Sequence, residues 1–270
     1  MICMIRKLCE DDKKELMTFL NREPEYNLYI IGDVNNFGFD GAYTSVYGEY
    51  RDGELFSVLS QNYLHLVYYA KSPDFNTEWL EIMEKFEFYF LSGKADLIRP
   101  IQQYFPAMWD DKLDFAKSTS FTEEKGLTYS YVKILTSREE ALMVYDMLSK
   151  IEELDTVGMK TREEFADYLL RHSGENGTTA YIMEDNKVVA SASAVFESDL
   201  SAMIVGVGTD KEYRGKGYGK KVMHYLMNLY VNEKKKTLCL YYDDPRAEAL
   251  YQKLGFVYLG DWIMLIKEEE

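Results

Sequence analysis

An α/β fold with a mixed sheet (α+β) is predicted by three observations. Candidate strands and helices alternate along the chain, short turn signals split apolar β-rich runs into hairpins, and a glycine-rich loop joins a strand to a helix in the second half. The 270 residues are 47% hydrophobic and 29% charged, which supplies a core and excludes the disordered class. At ~100–200 residues per domain the length predicts two domains.

The first elements are a strand from Ile2 to Leu8 and a helix opened by Asp11 or Asp12, with Leu16, Phe19 and Leu20 at helical spacing. Tyr43 to Tyr50 and Leu55 to Leu59 form β-rich runs on either side of Asp52-Gly53, a hairpin signal, and Tyr63 to Tyr69 continues the meander. Thr77 to Phe90 has helical spacing at Leu80, Met83 and Phe86. The polar run Lys117 to Gly126 is the candidate linker, which divides the chain into 1–125 and 126–270.

After the linker the opening order recurs. Thr128 to Leu135 reads as a strand, and a helix follows from a capping box of Ser137 and Glu140, with Leu142, Tyr145 and Leu148 apolar. Thr179 to Met183 and Lys187 to Phe196 are joined across Glu184-Asp185-Asn186, as the early hairpin is across Asp52-Gly53. This order suggests a degenerate internal duplication. Then come a strand at Ala202 to Val207, the glycine loop, a helix to about Val231, a strand at Thr237 to Tyr242, a helix from Pro245 to Leu254, and a closing strand at Trp262 to Ile266.

Charge narrows the partners. Thirty-one Lys and Arg against 46 Asp and Glu leave a net charge of −15, which argues against nucleic acid and anionic membrane surfaces. The tyrosine-rich run from Tyr63 to Tyr69 lacks the basic stripe of a base-stacking surface and reads as sheet core. No run of eighteen apolar residues occurs, and Cys3, Cys9 and Cys239 lack disulfide or zinc spacing, so a cytoplasmic protein without a metal is expected.

Against that acidic background, Asp210 to Lys221 has five basic residues and two acidic ones, a local charge of +3. Its centre is Arg214-Gly215-Lys216-Gly217-Tyr218-Gly219, after a strand and before a helix. Glycines allow close backbone approach, and a helix N-terminus offers unpaired amides to an anion. Cations in a first helical turn oppose the macrodipole, so their clustering suits a bound anion. The alternative is a glycine-rich turn with solvated lysines. A P-loop fails because Asp210 and Arg214 stand where its first glycine belongs, and the dinucleotide fingerprint fails at Lys220.

The remaining pattern, Arg-x-x-Gly-x-Gly after Val205-Gly206-Val207-Gly208-Thr209, resembles the acyl-CoA motif of the GNAT superfamily of N-acyltransferases. About thirty residues on, Asp244-Pro245-Arg246-Ala247-Glu248-Ala249-Leu250-Tyr251-Gln252-Lys253-Leu254-Gly255-Phe256 resembles that family's later motif, Asn-x-x-Ala-x-x-Leu-Tyr-x-Lys-x-Gly-Phe. The resemblance covers roughly Thr128 to Ile266. It implies the GNAT fold there, acetyl-CoA as co-substrate, and cofactor binding by Val207, Gly208, Thr209, Arg214, Gly215, Lys216, Gly217, Tyr218, Gly219, Lys220 and Asp244. Asp244 replaces the family's usual Asn, which leaves its cofactor contact open while its helix-capping role stands.

The resemblance also implies that Tyr251 is catalytic, protonating the departing thiolate; its alternative role is packing between helix and sheet. No general base is identifiable. Glu197 and Asp199 precede the strand that feeds the loop, and a charged turn accounts for both. His172 and His224 read as packing residues. The expected function is transfer of an acetyl or other acyl group from acetyl-CoA to the primary amine of a small molecule or amino acid, by direct attack in a ternary complex. A non-catalytic CoA-binding sensor or scaffold is the alternative, and a protein-interaction domain with an incidental glycine turn is a third reading. The first half lacks a cradle but opens like a GNAT domain. The chain thus looks like a tandem GNAT protein with a degenerate N-terminal domain, similar in layout to glycine N-acyltransferase-like proteins. The sequence names neither the acceptor nor the oligomeric state.

Overall fold

The computed structural model describes residues 3–41, 44–123, 128–151, 154, 161–174 and 177–267. Ile2, Tyr43 and Glu124 to Gly126, with the 125/126 boundary, lie outside the described residues. The chain divides into two compact units, which are not the two halves of the sequence: 1–115, 241–243 and 258–270 form unit 1, and 116–240 with 244–257 form unit 2.

Unit 1 opens with β1 (Cys3–Lys7), α1 (Lys13–Leu20) and α2 (Leu28–Phe37), followed by a two-residue strand β2 (Asp40–Gly41). A meander of β3 (Thr44–Arg51), β4 (Glu54–Asn62) and β5 (His65–Ala70) leads to α3 (Glu78–Met83), β6 (Phe90–Lys94) and α4 (Ala95–Gln102). β1 is antiparallel to β3, β3 to β4 and β4 to β5, whereas β5 and β6 run parallel over only three residue pairs. The β3–β4 hairpin turns on Asp52 and Gly53, both at positive φ, as its two-residue turn requires.

β7 (Met108–Ser118) leads to unit 2, whose order is β8 (Val132–Ile134), α5 (Arg138–Leu148), α6 (Arg162–Arg171), β9 (Thr178–Glu184), β10 (Lys187–Val195), β11 (Ser201–Thr209), α7 (Tyr218–Met227), β12 (Thr237–Tyr242, of which Thr237 to Leu240 belong to this unit) and α8 (Pro245–Lys253). β8, β9, β10 and β11 pair antiparallel in sequence order, and β11 meets β12 in parallel over three pairs, Ser201 to Met203 with Thr237 to Cys239. Both units therefore run strand, two helices, three-stranded meander, helix, parallel strand, helix. The duplication inferred from element order is a repeat of topology and pairing sense.

The last strand, β13 (Val257–Lys267), pairs antiparallel with β6 through Trp262 to Ile266, so from Tyr258 onward it completes the sheet of unit 1. The sequence reading places this strand at the end of the second half; pairing of Trp262 with Lys94, 168 positions earlier, is invisible to local pattern. Other departures are local. The Thr77–Phe90 helix is only α3, because Phe90 begins β6. The elements α2, α4, α6 and most of β7 go unread in the sequence; α4 carries Pro100 in its interior, which works against a helical reading. α7 continues through a π-helical turn, Asn228–Glu233, two residues past its expected end at Val231.

The core of unit 2 packs α5 and α6 on the sheet: Ala141, Val144 and Ala166 are fully buried, with Met147, Leu169 and Tyr181 nearly so. Side chains the size of Val144, Met147 and Leu169 contribute roughly 1.5–3 kcal/mol each when fully buried. α5 is fixed at its start as its sequence predicts, Ser137 Oγ accepting from the Glu140 amide while Glu140 accepts from Ser137. Among the described residues no helix is long and apolar enough to cross a membrane, and no group of His, Cys, Asp and Glu gathers as metal ligands.

Candidate active site

β11 carries an irregularity beside the glycine loop. Ser191 of β10 pairs with Gly208 and Ser193 with Val205, so Gly206 and Val207 together stand opposite Ala192. This is a β-bulge, and Gly206 adopts φ +59°. Beyond Met203, β11 and β12 no longer pair, so the strand enters the loop with backbone groups released from the β12 ladder. Gly208 is buried; a Cβ there would come within 2.7 Å of Leu148 and Ile151, which hold this end of β11 against α5.

From Thr209 the chain makes a 3-10 turn, Lys211–Tyr213, capped by Asp210, whose carboxylate accepts from the Glu212 amide at 3.0 Å. Gly217 then takes the N-cap position of α7 at φ +80°, where non-glycine residues are strained. A Cβ at Gly215 or Gly217 would meet no protein atom within 4 Å, so both face open space. Gly219 differs, because its Cβ would lie 2.8 Å from Thr209 Oγ1: the first turn of α7 rests directly on the end of β11. Tyr218 donates from its hydroxyl to Glu184 Oε1 of β9 at 2.9 Å, which anchors the loop to the sheet. Arg214 Nε reaches the Thr209 carbonyl at 3.3 Å.

These residues open onto a pocket of about 880 Å³. Seven of the predicted cofactor residues line it: Thr209, Arg214, Gly215, Gly217, Tyr218, Gly219 and Lys220. Lys216 instead lays its ammonium over the Tyr213 ring, 4.5 Å from the centroid. Val207 and Gly208 lie on the bulged strand. Asp244 caps α8, accepting from the Arg246 amide at 2.7 Å and pairing with its guanidinium at 2.6 Å. Hydrogen bonds from Arg246 hold its carboxyl below the usual value. The pocket also receives Thr122 and Glu123 from the segment between β7 and β8, His224 from α7, and Leu250, Lys253 and Leu254 from α8. Leu250, Lys253 and Leu254 share a helical face at i, i+3, i+4, a signal the second motif contains. Nothing local to Thr122 and Glu123 announces their place.

A diphosphate fits this cradle. The amides of Tyr218, Gly219 and Lys220 are first-turn donors without intrahelical acceptors, Gly215 and Gly217 leave room for a ligand, and Arg214 and Lys220 supply cations.

A sequence model of the Acetyltransferase (GNAT) family matches residues 142–256, a segment that contains the bulged strand, the loop and α8. The segment that holds the candidate site is thus similar to that family. Solved structures extend the likeness in fold to nearly the whole chain. A Drosophila protein aligns over 98% of this chain and 99% of its own at 13% identity and TM-score 0.70. A GCN5-related N-acetyltransferase from Sphaerobacter thermophilus aligns over 98% and 95% at 14% identity and TM-score 0.63. A tandem GNAT protein from the clavulanic acid biosynthesis pathway, solved without acetyl-CoA, aligns over 98% of both chains at 11% identity and TM-score 0.61. No curated protein matches the sequence. The fold is thus a tandem of GNAT-like units.

In the matched segment, Tyr251 is buried on α8, its ring 5.8 Å from that of Phe256, and burial pushes its phenol up to about 12. It does not line the 880 Å³ pocket. Glu197, one of the two acidic residues that precede β11, is tied down. Lys234 and Lys236 donate to it at 2.8 and 2.7 Å, and the Tyr230 hydroxyl at 2.7 Å. Burial alone would raise its pKa, but these donors outweigh burial and hold it below the usual carboxylate value. Glu197→Gln is therefore expected to lower unfolding stability by roughly 1–3 kcal/mol, measured by denaturant melts, and to leave turnover within twofold. A large loss of turnover with intact stability would put Glu197 back in the proton path. His172 packs against Tyr168 and Phe196, whereas His224 both meets Phe121 edge-on at 5.0 Å and lines the pocket.

The corresponding place in unit 1 has no cradle. Lys71-Ser72-Pro73-Asp74-Phe75-Asn76-Thr77 leads from β5 to the short α3, Trp79 is fully buried edge-on to Tyr68, and a Cβ at Gly93 would come 2.5 Å from the Tyr68 carbonyl. Aromatic packing occupies that region.

Proposed function

We propose that the GNAT domain transfers an acetyl group from acetyl-CoA to the primary amine of a small molecule or amino acid, by direct attack in a ternary complex. The observation that carries this reading is the continuity of the bulged β11 with the glycine cradle and the N-terminus of α7, all opening on one pocket. Acetyl-CoA supplies the activated acyl group as a thioester. The Gly215–Lys220 amides, with Arg214 and Lys220, would hold the diphosphate, while backbone groups of Val207 to Thr209 would align the pantetheine arm and polarise the thioester carbonyl.

Tyr251 would return a proton to the leaving thiolate. With its pKa near 12, the phenol stays protonated throughout the physiological range and so begins each turnover as a donor. Tyr251→Phe should keep CoA affinity within twofold and lower kcat by about 10²-fold, read as free thiol released from acetyl-CoA in the presence of a panel of amines and amino acids. Unchanged kcat removes Tyr251 from the chemistry. A second reading, a CoA-binding module without turnover, is favoured by the lysine-locked state of Glu197. Binding of CoA with no thiol release across the whole panel would decide for it.

A further inference from the structure

Unit 1 holds a group of polar side chains that the chemistry above does not use. Ser60 and Asn62 of β4, His65 of β5 and Ser92 of β6 share one face of its sheet, because Ser60 pairs with Val67, Val67 with Ser92, and Asn62 with His65. α2 lies over this face. Its Asp33 accepts from Asn62 Nδ2 at 2.5 Å, and Tyr29, one turn earlier, meets the His65 ring edge-on at 5.9 Å. A sheet face under a helix is ordinarily apolar, and the polar groups found there are ordinarily paired. His65 and Ser92 satisfy each other at 2.7 Å, and burial pushes the imidazole down to about 4, so it stays neutral. The remainder of the cluster is open. Ser60 Oγ, Asn62 Oδ1 and Asn36 Nδ2 are buried atoms that find no hydrogen-bond partner among the described residues, and Asn36 lies one turn beyond Asp33 on the same side of α2. Ser60 and Asp33 are only 1% and 2% exposed. α2 contains no basic residue, and among the described residues no cation acts on the Asp33 carboxyl.

We infer that this cluster binds a small primary ammonium compound, whose three N–H donors meet Asp33, Asn62 Oδ1 and Ser60 Oγ while Asn36 Nδ2 donates to an oxygen of the same ligand. The match is one of number and sign. A primary ammonium has three donors and no acceptor, and the cluster offers it three acceptors, one of them a carboxylate. Hydrogen bonds between charged partners are roughly twice as strong as neutral ones, and a buried carboxylate without a cation is costly until such a partner arrives. The C-terminal end of α2, which closes just past Asn36, also favours a positive charge. Asn62 and His65 are partly exposed and flank the exposed Tyr63, which puts the cluster at the solvent end of the β4–β5 hairpin. The site does not depend on the reading of the glycine loop.

The test is calorimetric titration of the full chain at pH 8, where Asp33 is ionised, with ethanolamine and 3-aminopropanol as probes. Choline keeps the charge without N–H donors, and ethylene glycol keeps the oxygens without the charge. At least one of the two amines should bind with a Kd on the order of 1 mM, and both controls at least about tenfold more weakly. Asp33→Asn removes the buried charge without changing shape, so it stays folded and should lose at least about tenfold in amine affinity; Ser60→Ala should lose about three- to tenfold. Binding of neither amine, choline binding as tightly as ethanolamine, or unchanged affinity in Asp33→Asn overturns the assignment. CoA takes no part in these titrations, so failure here and failure of the cradle reading are distinct.

Discussion

Gly217→Glu is expected to abolish CoA binding while leaving the protein folded. Gly217 caps α7 at φ +80°, so a side chain there costs roughly 1–2 kcal/mol in backbone strain, a tolerable fraction of a typical 5–15 kcal/mol stability. The new Cβ meets no protein atom within 4 Å, so the core is untouched. The space it enters is the space the proposed diphosphate would need, and a carboxylate placed at the α7 N-terminus would satisfy the same amides and repel that ligand. Wild-type protein at a CoA concentration of 100 Kd gains about 2.7 kcal/mol, seen as a rise in melting temperature. The variant should show no rise at that concentration. A full thermal shift in Gly217→Glu would remove the loop from the binding site.

The second large effect lies in unit 1 and concerns stability. Asp33 of α2 is almost wholly buried, with one hydrogen bond, accepted from Asn62 Nδ2 at 2.5 Å. Burial raises its pKa from 3.8 to about 7, partly offset by that bond. Well below pH 3.8 the carboxyl is protonated whether the chain is folded or not. Between pH 4 and 7 the unfolded chain releases a proton that the folded chain keeps, so stability falls as pH rises, and above 7 the full cost remains. At about 1.4 kcal/mol per unit, three units amount to roughly 4 kcal/mol at most. Asp33→Asn keeps the shape and the acceptor and cannot ionise. It should therefore raise stability by roughly 2–4 kcal/mol at pH 8 and leave it nearly unchanged at pH 4, as read from urea melts at the two values. Parallel pH profiles for the two proteins would show that Asp33 is not the group responsible.

The elements legible in the sequence are those whose information is local. Two hairpins follow from Asp52-Gly53 and Asp185-Asn186, because a two-residue turn needs left-handed backbone and these residues tolerate it. The start of α5 follows from Ser137 and Glu140, and the start of α8 from Asp244 and Pro245. The cradle is of the same kind, since a strand, glycines and a helix N-terminus follow one another within some fifteen residues. By contrast, α4 has Pro100 in its interior, and α2 with Leu28, Ile30, Ile31 and Val34 is buried on more than one face, so its apolar residues show no clean stripe.

By itself, then, the sequence determined the tandem order of elements and the glycine-loop end of the pocket, because glycine conformation, helix capping and local charge act over a few residues. Tertiary structure alone decided that β13 completes the sheet of unit 1, that Glu197 pairs with Lys234 and Lys236, and that Thr122, Glu123 and Lys253 share a wall with the cradle. Each of these depends on residues brought together from far apart in the chain, where no periodicity or motif relates one partner to the other.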